Sequence, residues 1–147
     1  CTYYMLSPKW RAAIDAAKLG DGPANHDPRK VAKVAILMTD GQFNTAFAGV
    51  AEGQAVRLSR GTESRNHAES LCKNMKDDGI EVFTIGFDLD SRDMSATERD
   101  QAKSVLKKCS SADAGSIRHY FEASTGAELD AAFSEIIKNT ERLALTR

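Results

Sequence analysis

The run Val34-Ala35-Ile36-Leu37-Met38 constrains this chain more than any other feature. Its apolar residues follow one another without polar alternation and stop at Thr39-Asp40-Gly41, so they read as a strand buried on both faces and ended by a turn. A strand covered on both faces implies helices above and below a mostly parallel sheet. Ile80 to Phe87 reads as a second strand and Arg118 to Ala123 as a shorter third.

Helical patterns separate and follow these strands. From Arg65 to Asp78, Ala68, Leu71, Cys72 and Met75 fall at i, i+3, i+4 and i+7, and Gly79 supplies a C-terminal stop. Ala102, Val105, Leu106 and Cys109 repeat that spacing behind a capping box, Ser95-Ala96-Thr97-Glu98. Leu129, Ala132, Phe133, Ile136, Ile137, Thr140 and Leu143 trace a third stripe, opened by Thr125-Gly126-Ala127-Glu128. Strand and helix in alternation predict right-handed crossovers and an open, three-layer α/β sheet of Rossmann-like type. Residues 1–147 read as one domain: an entry helix and loop over 1–30, with Trp10, Ala13, Ile14 and Ala17 on the helix, then three strand-helix units over 31–147. Phe43 to Glu63 reads as a long loop.

This order carries a physical difficulty. Consecutive parallel strands lie side by side, so the Val34–Met38 strand must end the sheet, although its residues suit a central one. A bare apolar edge invites aggregation. The expectation is therefore a missing neighbouring strand, supplied by an upstream segment, a cleaved companion or another copy of the chain.

Composition narrows the function classes. The chain has 147 residues, with 20 Lys and Arg against 21 Asp and Glu. That length suffices for one core without metal or disulfide support. The near-zero net charge argues against nucleic-acid binding through bulk electrostatics. Arg57, Arg60 and Arg65 alternate with Glu52, Glu63 and Glu69, as on a solvated surface. The densest apolar run falls far short of the roughly 20 residues that a bilayer-crossing helix needs. Because the chain opens at Cys1 and not Met, a partial or processed product is expected. A lipid-anchored Cys1 fits poorly with the apolar stretch Thr2 to Leu6 that follows it.

Ligands of open α/β sheets bind beyond the carboxyl ends of the strands. Asp40 stands at the first such end, Asp88 and Asp90 at the second. An Asp followed by Gly in that place can direct oxygens at Mg²⁺ or Ca²⁺, or can simply cap its turn. Acidic turn residues before a capped helix, such as Asp88 and Asp90, are commonly structural. His26, His67 and His119 match no zinc spacing and read as surface or partly buried residues. No Gly-x-Ser-x-Gly elbow and no Gly-rich phosphate loop occurs. Trp10, Tyr3, Tyr4 and Phe43 suit core packing beside the sheet better than an exposed adhesive cluster.

The string Lys33 to Thr45 resembles the fourth-strand motif of von Willebrand factor A domains. Further segments are similar to the A-like domain of TadG-type proteins of the bacterial tight-adherence (Flp) pilus system: Tyr4 to Trp10, Ser70 to Lys76, Gly79 to Phe87, Lys108-Cys109-Ser110, Tyr120 to Ala123 with Leu129 and Ala132-Phe133, and the ending Leu143 to Arg147. The resemblance spans nearly the whole chain and implies that residues 1–147 are the C-terminal portion of a single such domain. It implies a metal-ion-dependent adhesion site, in which a divalent cation is held by an Asp-x-Ser-x-Ser loop, a Thr from a second loop and the Asp of the fourth-strand motif. Only the last of these maps here, onto Asp40. No Asp-x-Ser-x-Ser spacing precedes Asp40, and Thr2 lies too close to Leu6-Ser7-Pro8 to match the loop Thr. The site is thus incomplete, and Mg²⁺ or Ca²⁺ binding is expected to be weak or absent, since hard cations need about six oxygens.

The cysteines admit two readings. Cys72 and Cys109 lie on successive helices that pack on one sheet face, so they can be a disulfide or two buried thiols. Resemblance to a cell-envelope protein favours the disulfide. The functional expectation is a non-enzymatic protein-binding or adhesion module of a TadG-like pilus assembly protein. It lies outside the cytoplasm and is anchored in the inner membrane by an upstream helix. Asp40 is its surviving ligand, and Thr39, Gln42, Asn44 and Thr45 form the rim that meets a pilus component or surface ligand. The alternatives are a Mg²⁺-dependent hydrolase using Asp40, Asp88 and Asp90, and a structural domain with a degenerate site.

Overall fold

A computed structural model describes residues 2–27, 29–41, 43, 58–91 and 94–145. The elements run α1 (Thr2–Met5), a 3₁₀ turn (Pro8–Trp10), α2 (Arg11–Ala16), β1 (Lys33–Thr39), α3 (Leu58–Asp77), β2 (Ile80–Phe87), α4 (Ala96–Cys109), β3 (Tyr120–Ala123) and α5 (Gly126–Leu145). The strands form one parallel sheet in the order β1-β2-β3, with Lys33 to Thr39 paired to Ile80 to Gly86 and Thr84 to Phe87 paired to Tyr120 to Ala123. The chain is thus a mixed α/β fold with helices on both faces of a small parallel sheet, compatible with the Rossmann-like expectation.

Alternation along the strands sorts the core into two layers. Ala35 and Val82 pack with Cys72 and Met75 of α3 and Val105 and Cys109 of α4. On the opposite face Phe83, Ile85 and Phe121 meet Ala132 and Ile136 of α5. β2 is the buried centre, and Val82, Phe83, Thr84 and Ile85 are wholly inaccessible. Thr84 tolerates this because its hydroxyl donates to the Leu106 carbonyl at 3.0 Å. Cys72 and Cys109 form a disulfide across 4.9 Å between Cα atoms, tying α3 to α4. Lys76 strengthens the same junction, its ammonium donating to the carbonyls of Lys108 and Ser110 at the end of α4.

Local signals explain the element ends. Ser95 and Glu98 make the expected reciprocal capping box at α4. At α5 the Glu128 amide donates to Thr125 Oγ1, but the Glu128 carboxylate reaches one residue further back, to the Ser124 amide. Gly79 ends the α3 turn at φ +74°, a conformation that costs glycine nothing.

Several expectations are corrected. The loop expected over Phe43 to Glu63 gives way to helix at Leu58, because Gly61, which argued for a loop, is buried inside α3. The third strand starts at Tyr120 and not Arg118, because the His119 amide donates to Asp113 Oδ1 at 2.8 Å instead of entering the ladder. Tyr3 and Phe43 pack against the α3 side of the core, but Tyr4 in α1 and Trp10, in a 3₁₀ turn that buries no residue, are exposed. Ile137 leaves the apolar stripe and stands 59% exposed. His119, expected at or near the surface, is 1% exposed and stacks on Phe83 at 4.7 Å.

β1 lies at the sheet edge, as the element order requires. Val34, Ile36 and Met38 point to the α5 side, but α5 covers β2 and β3 and leaves Ile36 at 42% and Met38 at 51% exposure. Lys33 anchors the entry segment beneath this strand. Its ammonium is buried and donates to the carbonyls of Leu6 and Ala24, both at 2.6 Å. Burial, aided by the nearby Arg11, holds its pKa below the usual lysine range.

Candidate functional site

The carboxyl ends of the strands are where this sheet class binds ligands. Thr39 closes β1, and its hydroxyl turns inward on its own loop, accepting the Gly41 amide at 3.2 Å and facing the Gly41 carbonyl at 3.3 Å. Asp40 follows at the surface, exposed and without an ion-pair partner among the described residues. Gln42, Asn44 and Thr45, the other rim residues, lie outside the described residues.

Asp88 and Asp90 have separate duties. Asp88 takes a left-handed backbone at φ 49°, and its amide donates to the Ala123 carbonyl, which carries the chain out of β2 across the top of β3. The Asp90 carboxylate is claimed by two cations: Arg99 Nε at 3.2 Å and Lys103 Nζ at 3.2 Å. Among the described residues, no three His, Cys, Asp or Glu side chains converge to hold a metal ion. Asp40 is therefore not joined by Asp88 and Asp90 in a cation site, and the described oxygens do not fit the six-oxygen requirement of Mg²⁺ or Ca²⁺.

Asp90 and Glu122 instead belong to a polar network that sequence reading missed. Lys103 Nζ also meets Glu122 Oε2 at 2.8 Å, and the Tyr120 hydroxyl donates to Glu122 Oε1 at 2.6 Å. Lys107 rests over the Tyr120 ring at 5.2 Å. Burial by itself would raise the Glu122 pKa, but the Lys103 and Tyr120 hydrogen bonds outweigh it and hold the carboxyl below the usual range. The same Glu122 bond raises the Lys103 pKa despite that residue's own desolvation. Burial, and then Glu122, push the Tyr120 phenol above its ordinary range. The signal was in the spacing: Arg99, Lys103 and Lys107 recur every four residues on one flank of α4, while Tyr120 and Glu122 share a face of β3.

A second polar cluster lies at the opposite end of the sheet. The His119 ring sits with Nε2 2.6 Å from Glu81 Oε1 and Nδ1 3.5 Å from Asp113 Oδ1, neither contact aligned as a hydrogen bond. Ser111 completes this end by taking up both polar groups of Val82: its hydroxyl accepts the Val82 amide and its amide donates to the Val82 carbonyl. The arrangement replaces the strand partner that β3, starting only at Tyr120, does not supply.

An apolar cleft of about 270 Å³ opens beside β1, lined by Tyr3, Ala35, Leu37, Phe43, Leu71 and Met75 among others. It adjoins the disulfide through Cys72. The described top of the sheet thus pairs one uncommitted carboxylate at β1 with a closed ionic network at β2 and β3. Comparison of the chain with family models, with characterised proteins and with solved structures finds no match.

Proposed function

We propose that the chain is a non-enzymatic protein-binding module, similar to a von Willebrand factor A domain, of a TadG-like pilus assembly protein. It recognises a pilus component or surface ligand at the top of the sheet near β1. The observation that carries this reading is the division of acids: Asp90 and Glu122 are neutralised within the fold, whereas Asp40 is presented to solvent without an ion-pair partner among the described residues. A hydrolase built on Asp40, Asp88 and Asp90 would need these carboxylates together around its metal, whereas the Asp90 carboxylate is held by Arg99 and Lys103 and the three form no group among the described residues. The Cys72–Cys109 disulfide supports a place outside the cytoplasm; the inner-membrane anchor upstream in the intact protein rests on the resemblance alone. Thr39 and Asp40, with Gln42, Asn44 and Thr45, form the recognition rim.

Direct binding of the oxidised chain to purified Flp-type pilin and envelope assembly components, with and without EDTA, tests the reading. Binding weakened at least tenfold by Asp40→Ala is expected. Turnover of generic phosphoesters with Mg²⁺, abolished in Asp40→Asn, would overturn it.

A further inference from the structure

Three Asp-Gly pairs occur in the chain: Asp21-Gly22, Asp40-Gly41 and Asp78-Gly79. Such a pair carries its own chemistry. The glycine amide nitrogen can attack the aspartate Cγ and close a cyclic imide, because no side chain on the glycine stands in the way. Whether this happens in a folded protein depends on how freely that amide and that carboxyl can meet. The three pairs differ in this respect.

Asp78-Gly79 is locked. The Gly79 amide donates to the Lys76 carbonyl at 2.9 Å in the turn that ends α3. The Asp78 carboxylate accepts the Tyr3 hydroxyl at 2.7 Å and lies 3.8 Å from His26 Nε2. Both reacting groups are thus engaged by other residues. Asp21-Gly22 is pinned by packing. The Gly22 backbone lies against Arg11 so closely that an added Cβ would come within 2.6 Å of Arg11 Cα. The Arg11 guanidinium also donates to the Pro23 carbonyl at 2.8 Å and to Asn25 Oδ1 at 3.2 Å, which fixes the chain just beyond.

Asp40-Gly41 has neither restraint. Asp40 is exposed, and its carboxylate has no ion-pair partner among the described residues. The space around Gly41 is open, since an added Cβ would meet nothing within 4 Å. Its amide donates to the Thr39 hydroxyl at 3.2 Å, the long end of the normal range. That bond closes within a single turn, so breaking it disturbs no other element.

We propose that Asp40-Gly41 is a site of spontaneous isomerisation in the folded chain. The Gly41 nitrogen bonds to Cγ of the protonated Asp40 carboxyl, and its proton leaves with the carboxyl hydroxyl as water, closing a succinimide. Water then opens the ring at either carbonyl. Opening at Cγ restores aspartate. Opening at the backbone carbonyl gives isoaspartate, whose main chain runs through Cβ and Cγ and whose free carboxylate sits on Cα. One water leaves and one enters, with no change of oxidation state. The proposal does not rest on recognition at the top of the sheet, although its product lengthens the turn by one methylene and displaces the acid assigned to that recognition.

Ageing the oxidised chain at physiological temperature and neutral pH in heavy-oxygen water, followed by tryptic mapping, tests this. The peptide Val34 to Arg57 has Asp40 as its only aspartate. Its uptake of heavy oxygen, and its labelling by an isoaspartyl methyltransferase, should exceed those at Asp21 and Asp78 by at least roughly tenfold, since those two must first break their restraints. In concentrated urea the three sites should age at similar rates. Gly41→Ala should suppress the reaction at Asp40 severalfold with the melting transition retained, because Gly41 is not at positive φ and the added methyl meets open space. Equal ageing of the three sites in the folded chain overturns the proposal. So does a difference that persists in urea, or an unchanged rate in Gly41→Ala.

Discussion

Removing the Cys72–Cys109 cross-link gives the sharpest test of what holds the α3–α4 layer to the sheet. Both half-cystines are buried, at 2% and 0% exposure, in the cluster that also holds Ala35, Met75, Val82 and Val105. Reduced, they would still pack as small apolar side chains, so the folded state loses little. The effect falls on the unfolded chain, which regains the freedom of a loop spanning 37 residues. The chain-entropy relation assigns such a loop about 13 cal/mol/K, or about 4 kcal/mol at 25 °C. That is a large share of the roughly 5–15 kcal/mol by which domains are stable. With a urea dependence of roughly 2 kcal/mol/M, the unfolding midpoint of Cys72→Ala/Cys109→Ala should drop by roughly 2 M at unchanged slope. Wild type kept reduced in excess thiol reductant should show a similar drop. Intact mass after alkylation of the native chain should show one free thiol among the three cysteines. A midpoint shift below about 0.5 M would refute the argument, because the α3–α4 contact would then persist in the unfolded ensemble.

Further outcomes follow from the same packing. Gly86→Ala should destabilise by about 1–3 kcal/mol in urea unfolding, since the new Cβ would overlap Leu89 Cδ1 and crowd Leu106. Thr84→Val keeps the buried shape but loses the bond to the Leu106 carbonyl, and should cost about 1 kcal/mol. The Glu122 pKa is depressed in the folded state, so its contribution is present above the unfolded value of about 4.3 and is lost as pH falls through the folded one. In Lys103→Met, burial acts with less opposition, so an NMR titration should show the Glu122 carboxyl protonating at higher pH, and stability should fall sooner on acidification. Calorimetric titration of Mg²⁺ should show no saturable binding. A sub-millimolar site lost in Asp40→Ala would contradict the reading of Asp40 as a lone ligand.

Much of the architecture was legible because periodicity reports which face is buried. The apolar run of β1 and the capping box at Ser95 form where the sequence puts them, although the α5 face of β1 stays half exposed, and each repeat of the i, i+3, i+4 pattern yields a helix, the first beginning at Leu58 and not at Arg65. Misreadings arose where a distant group decided the outcome. Gly61 reads as a loop residue until its burial within α3 is known. Arg118 and His119 read as strand until Asp113 takes the His119 amide. The ion network of Asp90, Arg99, Lys103 and Glu122 joins three segments, so nothing near Asp90 announced that its carboxylate was already engaged. Asp40 was visible as a candidate because it needs only a strand end and a glycine.

The disulfide also has a mechanical meaning. Tension applied along the polypeptide passes from Cys72 to Cys109 through one covalent bridge and bypasses everything between them. That bypassed stretch contains β2, the central strand, and all of α4. Even a fully stretched chain would be shorter by about 130 Å, the contour of 37 residues at roughly 3.5 Å each. Pulling can peel β1 and the entry segment from one side and β3 with α5 from the other. The middle of the sheet cannot be drawn out as an extended thread, and it remains looped with α4 as the place from which the rest can re-form.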